Sequence, residues 1–291
     1  MKLFAPPFFP KNHRLFGLTN QEICKTKKEA VFEMLELKKV RKIFGKGAKE
    51  VCALDGIDLV IEDHELVCVI GPSGCGKSTL LRIIAGFEKA DSGNLILDGK
   101  PITGPGIDRG IVFQEYALFP WMNVIENAEF GLKMKGVQKS ERRQIAKRYL
   151  EMVGLGRFSE AATYNLSGGM KQRVAIVRAL VNDPEILLMD EPFGALDALT
   201  REEMEVELVK IWKKTKKTII FVTHDVEEAV FLASKLVVLT PGPGKIKKIS
   251  RLPFSRNFPD DGDLKKARAV KTTPEFIEHR TNTLKLIWGE L

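Results

Sequence analysis

"ELVCVIGPSGCGKSTLLRIIAG", Glu65 to Gly86, is the stretch whose reading decides the fold. Its first part is a continuous apolar run ending in glycine, the pattern of a strand buried on both faces. Its last part, from Lys77 to Gly86, has apolar residues at helical spacing and a glycine stop. Between them "GPSGCGKS", Gly71 to Ser78, fills every position of G-x-x-x-x-G-K-[ST]. Strand, glycine loop and helix in that order are the context this motif requires. Gly71, Gly74 and Gly76, with Pro72, Ser73, Cys75 and Thr79 around them, let backbone N–H groups close around phosphates. Lys77 then reaches the β- and γ-phosphates, and the Ser78 hydroxyl ligates Mg²⁺. Nucleotide binding is the function this stretch implies.

Two further apolar runs end in polar residues, "EILLMDEP" (Glu185 to Pro192) and "TIIFVTHD" (Thr218 to Asp225). Buried strands with polar C-terminal tips predict a parallel sheet that binds its ligand at the strand ends. At the first tip, Asp190 can hold the Mg²⁺ shell and Glu191 can orient and deprotonate an attacking water. At the second, a neutral His224 can hydrogen-bond both the γ-phosphate and that water. Gln114, ending "GIVFQ", is an ordinary loop residue on its own. Between Gln114 and Pro184 strand signals give way to amphipathic helical ones, such as "KSERRQIAKRYLEMVGL". The expected fold is therefore α/β: a P-loop NTPase (RecA-like) core over residues 34–114 and 185–254, with a helical subdomain inserted at 115–184.

"LSGGMKQRVAIVRAL", Leu166 to Leu180, poses a separate question. Ser167, Gly168 and Gly169 directly precede a helix, which makes a second anion-binding helix N-terminus in one chain. The P-loop, this segment, "ILLMDEP", "GALD" and "VTHD" in this order resemble the ATPase subunits of ATP-binding cassette (ABC) transporters, over about Leu35 to Ile249. The resemblance implies that Ser167–Gly169 meet the ATP of a partner subunit in a homodimer. It implies that Phe44 stacks on adenine, Asp197 lies in a loop crossing the dimer interface and His224 is the switch histidine. It also puts Gln114 at the catalytic Mg²⁺ with Ser78 and Asp190, the last directly or through water. "YALFPW", Tyr116 to Trp121, corresponds to the groove that receives a short helix of the membrane permease. The wording around Trp121, "EPFGALDALTR" and "VEEAVFLASKLVVLTPGPG" is similar to the nitrate, sulfonate and taurine importers. Such a subunit works on the cytoplasmic face of the membrane and is served indirectly by a periplasmic or extracellular substrate-binding protein. One departure is visible: where the family commonly has glycine before Glu65, this chain has His64, a residue that tolerates a left-handed turn better than most.

The rest of the sequence bounds these readings. The chain has 291 residues, 44% hydrophobic and 29% charged, with no apolar run of about 18 residues to span a membrane. That excludes exporters with fused membrane helices. The formal charge of +8 gathers in lysine clusters such as "KKTKK", with no zinc-finger or aromatic RNA-reading motif beside them. An ABC ATPase acting on nucleic acid or ribosomes is the alternative function, but the coiled-coil insertion or second cassette of those relatives is not seen, and nucleic acid is not the expected partner. A GTPase would need a guanine-reading N-K-x-D, which is absent. Cys24, Cys52, Cys68 and Cys75 show no C-x-x-C spacing and are expected to be reduced. Residues 1–33, rich in proline and phenylalanine and then polar, are expected to be a weakly ordered tail, with Met34 opening the first strand. Residues 255–291 are expected to be a helical extension ending in an amphipathic helix with Phe276, Ile277, Leu284, Ile287 and Trp288 as its apolar stripe.

Overall fold

The computed structural model describes residues 33–290. The expected tail lies outside the described residues, apart from Glu33, as does Cys24. Strands β1 (Glu33–Phe44), β2 (Val51–Glu62), β4 (Ser92–Leu97) and β5 (Lys100–Pro101) form an antiparallel sheet in the order β2-β1-β4-β5. A second sheet has the order β10-β9-β3-β8-β7-β6. In it β3 (Leu66–Ile70), β6 (Arg109–Val112), β7 (Ile186–Asp190), β8 (Thr218–Val222) and β9 (Lys235–Leu239) run parallel, and β10 (Ile246–Arg251) closes one edge antiparallel.

The apolar runs are continuous because the parallel sheet is covered on both faces, and alternate side chains sort into two cores. Val67, Val69, Leu188, Ile220 and Val237 join a cluster with the antiparallel sheet and α1 (Lys77–Ala85). Their neighbours Cys68, Ile70, Met189, Phe221 and Val238 join a cluster with the remaining helices. These are α2 (Val124–Met134), α3 (Lys139–Met152), α4 (Gly168–Leu180), α5 (Ala198–Thr215), α6 (Val226–Leu232), α7 (Phe254–Asn257), α8 (Leu264–Lys271) and α9 (Pro274–Trp288). Phe221 is wholly buried with its ring 5.4 Å from Phe193, so its truncation to alanine should cost about 3–5 kcal/mol.

Helices α2, α3 and α4 fall between β6 and β7, where the helical signals were read. Asn123 caps α2 by accepting from Glu126 N–H, and the Glu126 carboxylate accepts from Asn123 N–H in return. Buried Glu129 of α2 pairs with Arg142 and Arg143 of α3 at 3.3 and 3.5 Å, tying the two together. Among the described residues no helix is long and apolar enough to cross a membrane.

The turn at His64 is left-handed, with φ +60°, and its N–H donates to Thr218 Oγ1 at 3.0 Å. The C-terminal stripe needs correcting. Phe276 and Thr283 are buried and Ile287 packs on the core, but Ile277 and Trp288 are exposed. At about 100° per residue, positions 276, 280, 283 and 287 share one face, and 277, 284 and 288 share another. The expected stripe mixed the two.

Candidate functional site

Gly71 leaves the C-terminal end of β3, and α1 starts at Lys77 with Gly76 as its N-cap at φ +95°. A Cβ on Gly76 would lie 2.7 Å from both Ala53 O and Leu54 Cδ2, so this glycine is required by strand β2 beside it. Lys77 is buried, and its ammonium donates to Gly71 O at 2.8 Å and Pro72 O at 3.1 Å. The cation is thus held across the mouth of the loop by two neutral carbonyls, which a phosphate would displace through charge-assisted bonds. Ser73 and Gly74 are exposed at the loop tip, and Cys75 is buried, with burial pushing its thiol pKa up.

Because β3, β8 and β7 are adjacent and parallel, their C-terminal tips open on one edge of the sheet. Ser78 Oγ donates to Asp190 Oδ1 at 3.0 Å. Burial raises the Asp190 carboxyl above its ordinary pKa; neighbouring Glu191 adds to this and the Ser78 bond opposes it. A hydroxyl and a carboxylate side by side are hard oxygen donors, a partial shell that fits Mg²⁺ when phosphates supply further ligands. Glu191 follows with φ +44°, its N–H donating to Val222 O at 2.9 Å, and its Oε2 lies 3.0 Å from His224 Nδ1. A non-glycine residue held left-handed at a strand tip is a strained placement of the kind that marks functional sites. Behind His224, the Thr223 hydroxyl donates to Glu228 and accepts from Asp225 N–H at 3.0 Å. Glu228 has its carboxyl pushed up to about 8, chiefly by burial.

The other expected residues divide into two groups. Gln114 is exposed after β6, and a Cβ on Gly194 would lie 3.6 Å from its Nε2, so it borders the loop after Glu191. Phe44 ends β1 in register with Val51 of β2, the strand whose Ala53 carbonyl confines Gly76. Its ring is exposed, with the Lys42 ammonium 5.0 Å from the centroid. Gln114 thus lies at the loop after β7, and Phe44 on the strand paired with β2. Ser167–Gly169 have other neighbours. Ser167 is exposed and caps α4, accepting from Met170 N–H at 3.3 Å. A Cβ on Gly168 would meet Tyr116 Oη at 3.0 Å and Leu196 at 3.1 Å, and one on Gly169 would meet Thr200 at 2.7 Å. No atom of Gly71–Ser78 lies within 4 Å of either position. Asp197, also exposed, caps α5 by accepting from Thr200 N–H at 3.0 Å; the Thr200 side chain first, then this N–H, lowers its carboxyl pKa.

In the Tyr116–Trp121 segment, Trp121 is 74% exposed while Phe119 packs on Phe130 with ring centroids 4.6 Å apart. Sequence reasoning missed what holds this segment. Asn127, wholly buried on α2, accepts from Phe119 N–H at 2.8 Å and donates to Phe119 O at 3.1 Å. Arg178 of α4 donates to the carbonyls of Tyr116 and Ala117. An asparagine among the apolar positions of "NVIENAEFGL" was the available signal.

Comparison with known proteins adds to this geometry. The ABC transporter family model matches residues 54–194. The taurine import ATP-binding protein TauB of Roseobacter denitrificans is 53% identical over 82% of this chain and 87% of its own. The nitrate import ATP-binding protein NrtD of Synechocystis is 48% identical over 88% of this chain and 95% of its own. Among solved structures, the dimeric post-hydrolysis state of the ATP-binding cassette MJ0796 with ADP and Pi has a TM-score of 0.65. It is 35% identical over 75% of this chain and 99% of its own.

Proposed function

Since the chain belongs to the ATP-binding subunits of ABC transporters, we propose that it is the energy-coupling ATPase of an importer for a small anion such as nitrate, a sulfonate or taurine. Two copies close on ATP, hydrolyse it and reopen, and this motion drives helices of a membrane permease. The observation that carries the reading is the separation of the two glycine cradles within one chain. The P-loop edge holds one side of the triphosphate, and Ser167–Gly169 at the N-terminus of α4 serve the ATP of the partner protomer. The dimeric state of the solved relative supports this arrangement.

Within each site the residues have separate tasks. Lys77 exchanges the Gly71 and Pro72 carbonyls for the β- and γ-phosphates, while Gly71–Gly76 and Thr79 supply backbone donors. Ser78, Asp190 and Gln114 would hold Mg²⁺, which when bound would neutralise charge on the phosphate oxygens. Glu191 takes the proton of the attacking water, and His224 orients that carboxylate from 3.0 Å away. Phe44 stacks on the adenine, and Asp197 sits at the protomer boundary. Exposed Trp121 with Tyr116 forms the permease dock, braced from behind by Asn127 and Arg178. The subunit is peripheral, on the cytoplasmic face of the membrane, and a periplasmic or extracellular binding protein delivers the solute to the permease. The import relatives favour transport over the nucleic-acid alternative.

The test is ATPase activity of the purified subunit–permease complex with its binding protein and candidate solutes. Stimulation by nitrate, taurine or an alkanesulfonate is expected. Stimulation by a sugar or an amino carboxylate alone would contradict the anion assignment.

A further inference from the structure

The two loops that carry Asp197 and His224 both lead into helices. Asp197 caps α5, and Asp225, next to His224, caps α6 by accepting from the N–H groups of Glu227 and Glu228. Near those ends the helices are joined by Arg201 and Asp225, 3.7 Å apart. Further along, cations from the C-terminal helices grip both. Lys271, the last residue of α8, lies 2.7 Å from Glu205 of α5 and 3.3 Å from Glu227 of α6. Arg280 of α9 takes the second Glu227 oxygen at 3.2 Å. Arg268 of α8 takes Glu202 of α5 at 2.7 Å. Arg280 is on the inward face of α9, with Phe276, which is wholly buried against Phe254 at 5.0 Å.

These ion pairs differ in weight. The Arg268 side chain is exposed and that of Glu202 half-buried, and pairs so open to solvent contribute little. Glu205 is 3% exposed, and the Lys271 side chain 11%. A buried pair adds little to stability over an apolar replacement, but a pair shared among several elements can fix their register. Here the register fixed is that of α5 against α6, and hence of the two loops at their N-termini. Glu227 is bound from both C-terminal helices, three residues after His224.

We propose that α8 and α9 form a positioning clamp. Its central residue, Lys271, sets the spacing of α5 and α6 through Glu205 and Glu227, and so keeps His224 against Glu191. The clamp rests on the reading of His224 as the residue that orients Glu191. It acts without touching nucleotide, so a ligand or partner that drew Lys271 away would slow hydrolysis while leaving ATP binding intact.

The experiment uses the full chain and steady-state ATPase assays, with nucleotide affinity and melting temperature measured alongside. Lys271→Met alone strands a buried carboxylate, so the informative variant is Glu205→Gln with Lys271→Met, which removes both charges. The clamp predicts that kcat falls at least about tenfold, while KM and nucleotide affinity stay within about twofold, because misplacing a catalytic group costs rate and not binding. Lys271→Arg should restore most of the rate. In a His224→Ala background the same double change should cause no further loss, since its effect has already been removed. Unchanged kcat, or a loss of equal size with and without His224, would overturn the clamp. If His224→Ala itself leaves hydrolysis intact, the reading of His224 fails, and the clamp falls with it.

Discussion

Two glycine-rich helix starts in this chain look alike in sequence and differ in what surrounds them. At the first, Lys77 is buried and bonded back to the loop, Ser78 reaches Asp190, and β2 presses on Gly76. At the second, exposed Ser167 caps its own helix, and the nearest neighbours of Gly168 and Gly169 are Tyr116, Leu196 and Thr200. A helix N-terminus attracts anions in either setting. The first is already surrounded by the groups we assign to phosphate, metal and water. The second has the anion-binding end alone, and for that reason we propose that it serves the ATP of a partner protomer.

The largest effect that sharpens this contrast comes from Glu191→Gln. It keeps the shape of the first site and removes its base, so hydrolysis should fall by about 10²-fold or more while ATP binding persists. With ATP trapped between the two cradles, the variant should elute as an ATP-dependent dimer in size exclusion. Near-normal turnover from a monomer would break the comparison.

A second difference is electrostatic. Glu228 is buried behind Thr223, beside His224, with Glu205, Asp225 and Arg201 nearby, and its carboxyl is pushed up to about 8. Between the ordinary value of about 4.5 and about 8, the folded protein holds a proton that the unfolded chain has released. Stability contributed there is present at low pH and is lost as pH rises through that window, on the order of 3–5 kcal/mol. Glu228→Gln should remove that slope, leaving the melting temperature little changed near pH 5.5 and raised above pH 8. Parallel pH profiles for variant and wild type would contradict the assignment.

The smallest effect concerns the surface beside the second cradle. Trp121 is 74% exposed, so Trp121→Ala should shift the melting temperature by no more than a degree or two, since exposed substitutions fall within about 0.5 kcal/mol. It should leave the isolated ATPase intact and weaken capture of the permease. A collapsed melting temperature would place the ring in the core instead.

What the sequence revealed was local. Strand, loop and helix around Gly71–Ser78 could be read because each signal sits within a few residues of the next, and so could the helix that starts at the Ser167–Gly169 segment. The left-handed turn at His64 was legible only through the resemblance, which commonly has glycine at that position. Pairings across distance were not. Lys271 and Glu205 are 66 residues apart, and nothing in their spacing announces an ion pair. The grip of Asn127 on Phe119 depends on a loop folding back over its own helix. The stripe on α9 was misread because both of its neighbouring faces carry apolar residues, and only the position of the core decides between Phe276 and Ile277.

The most direct test of the two-cradle account is a mixing experiment. Lys77→Ala should lose most ATP affinity, because the cation facing the phosphates is gone. Ser167→Arg should still bind ATP but neither dimerise on it nor hydrolyse it. Mixed together, the two inactive proteins form heterodimers in which one site carries both lesions and the other pairs an intact P-loop with an intact Ser167 segment. With random mixing and independent sites, roughly a quarter of wild-type ATPase activity should return, together with ATP-dependent dimers. If each cradle served its own chain, mixing would recover neither activity nor dimers, and that result would contradict the account.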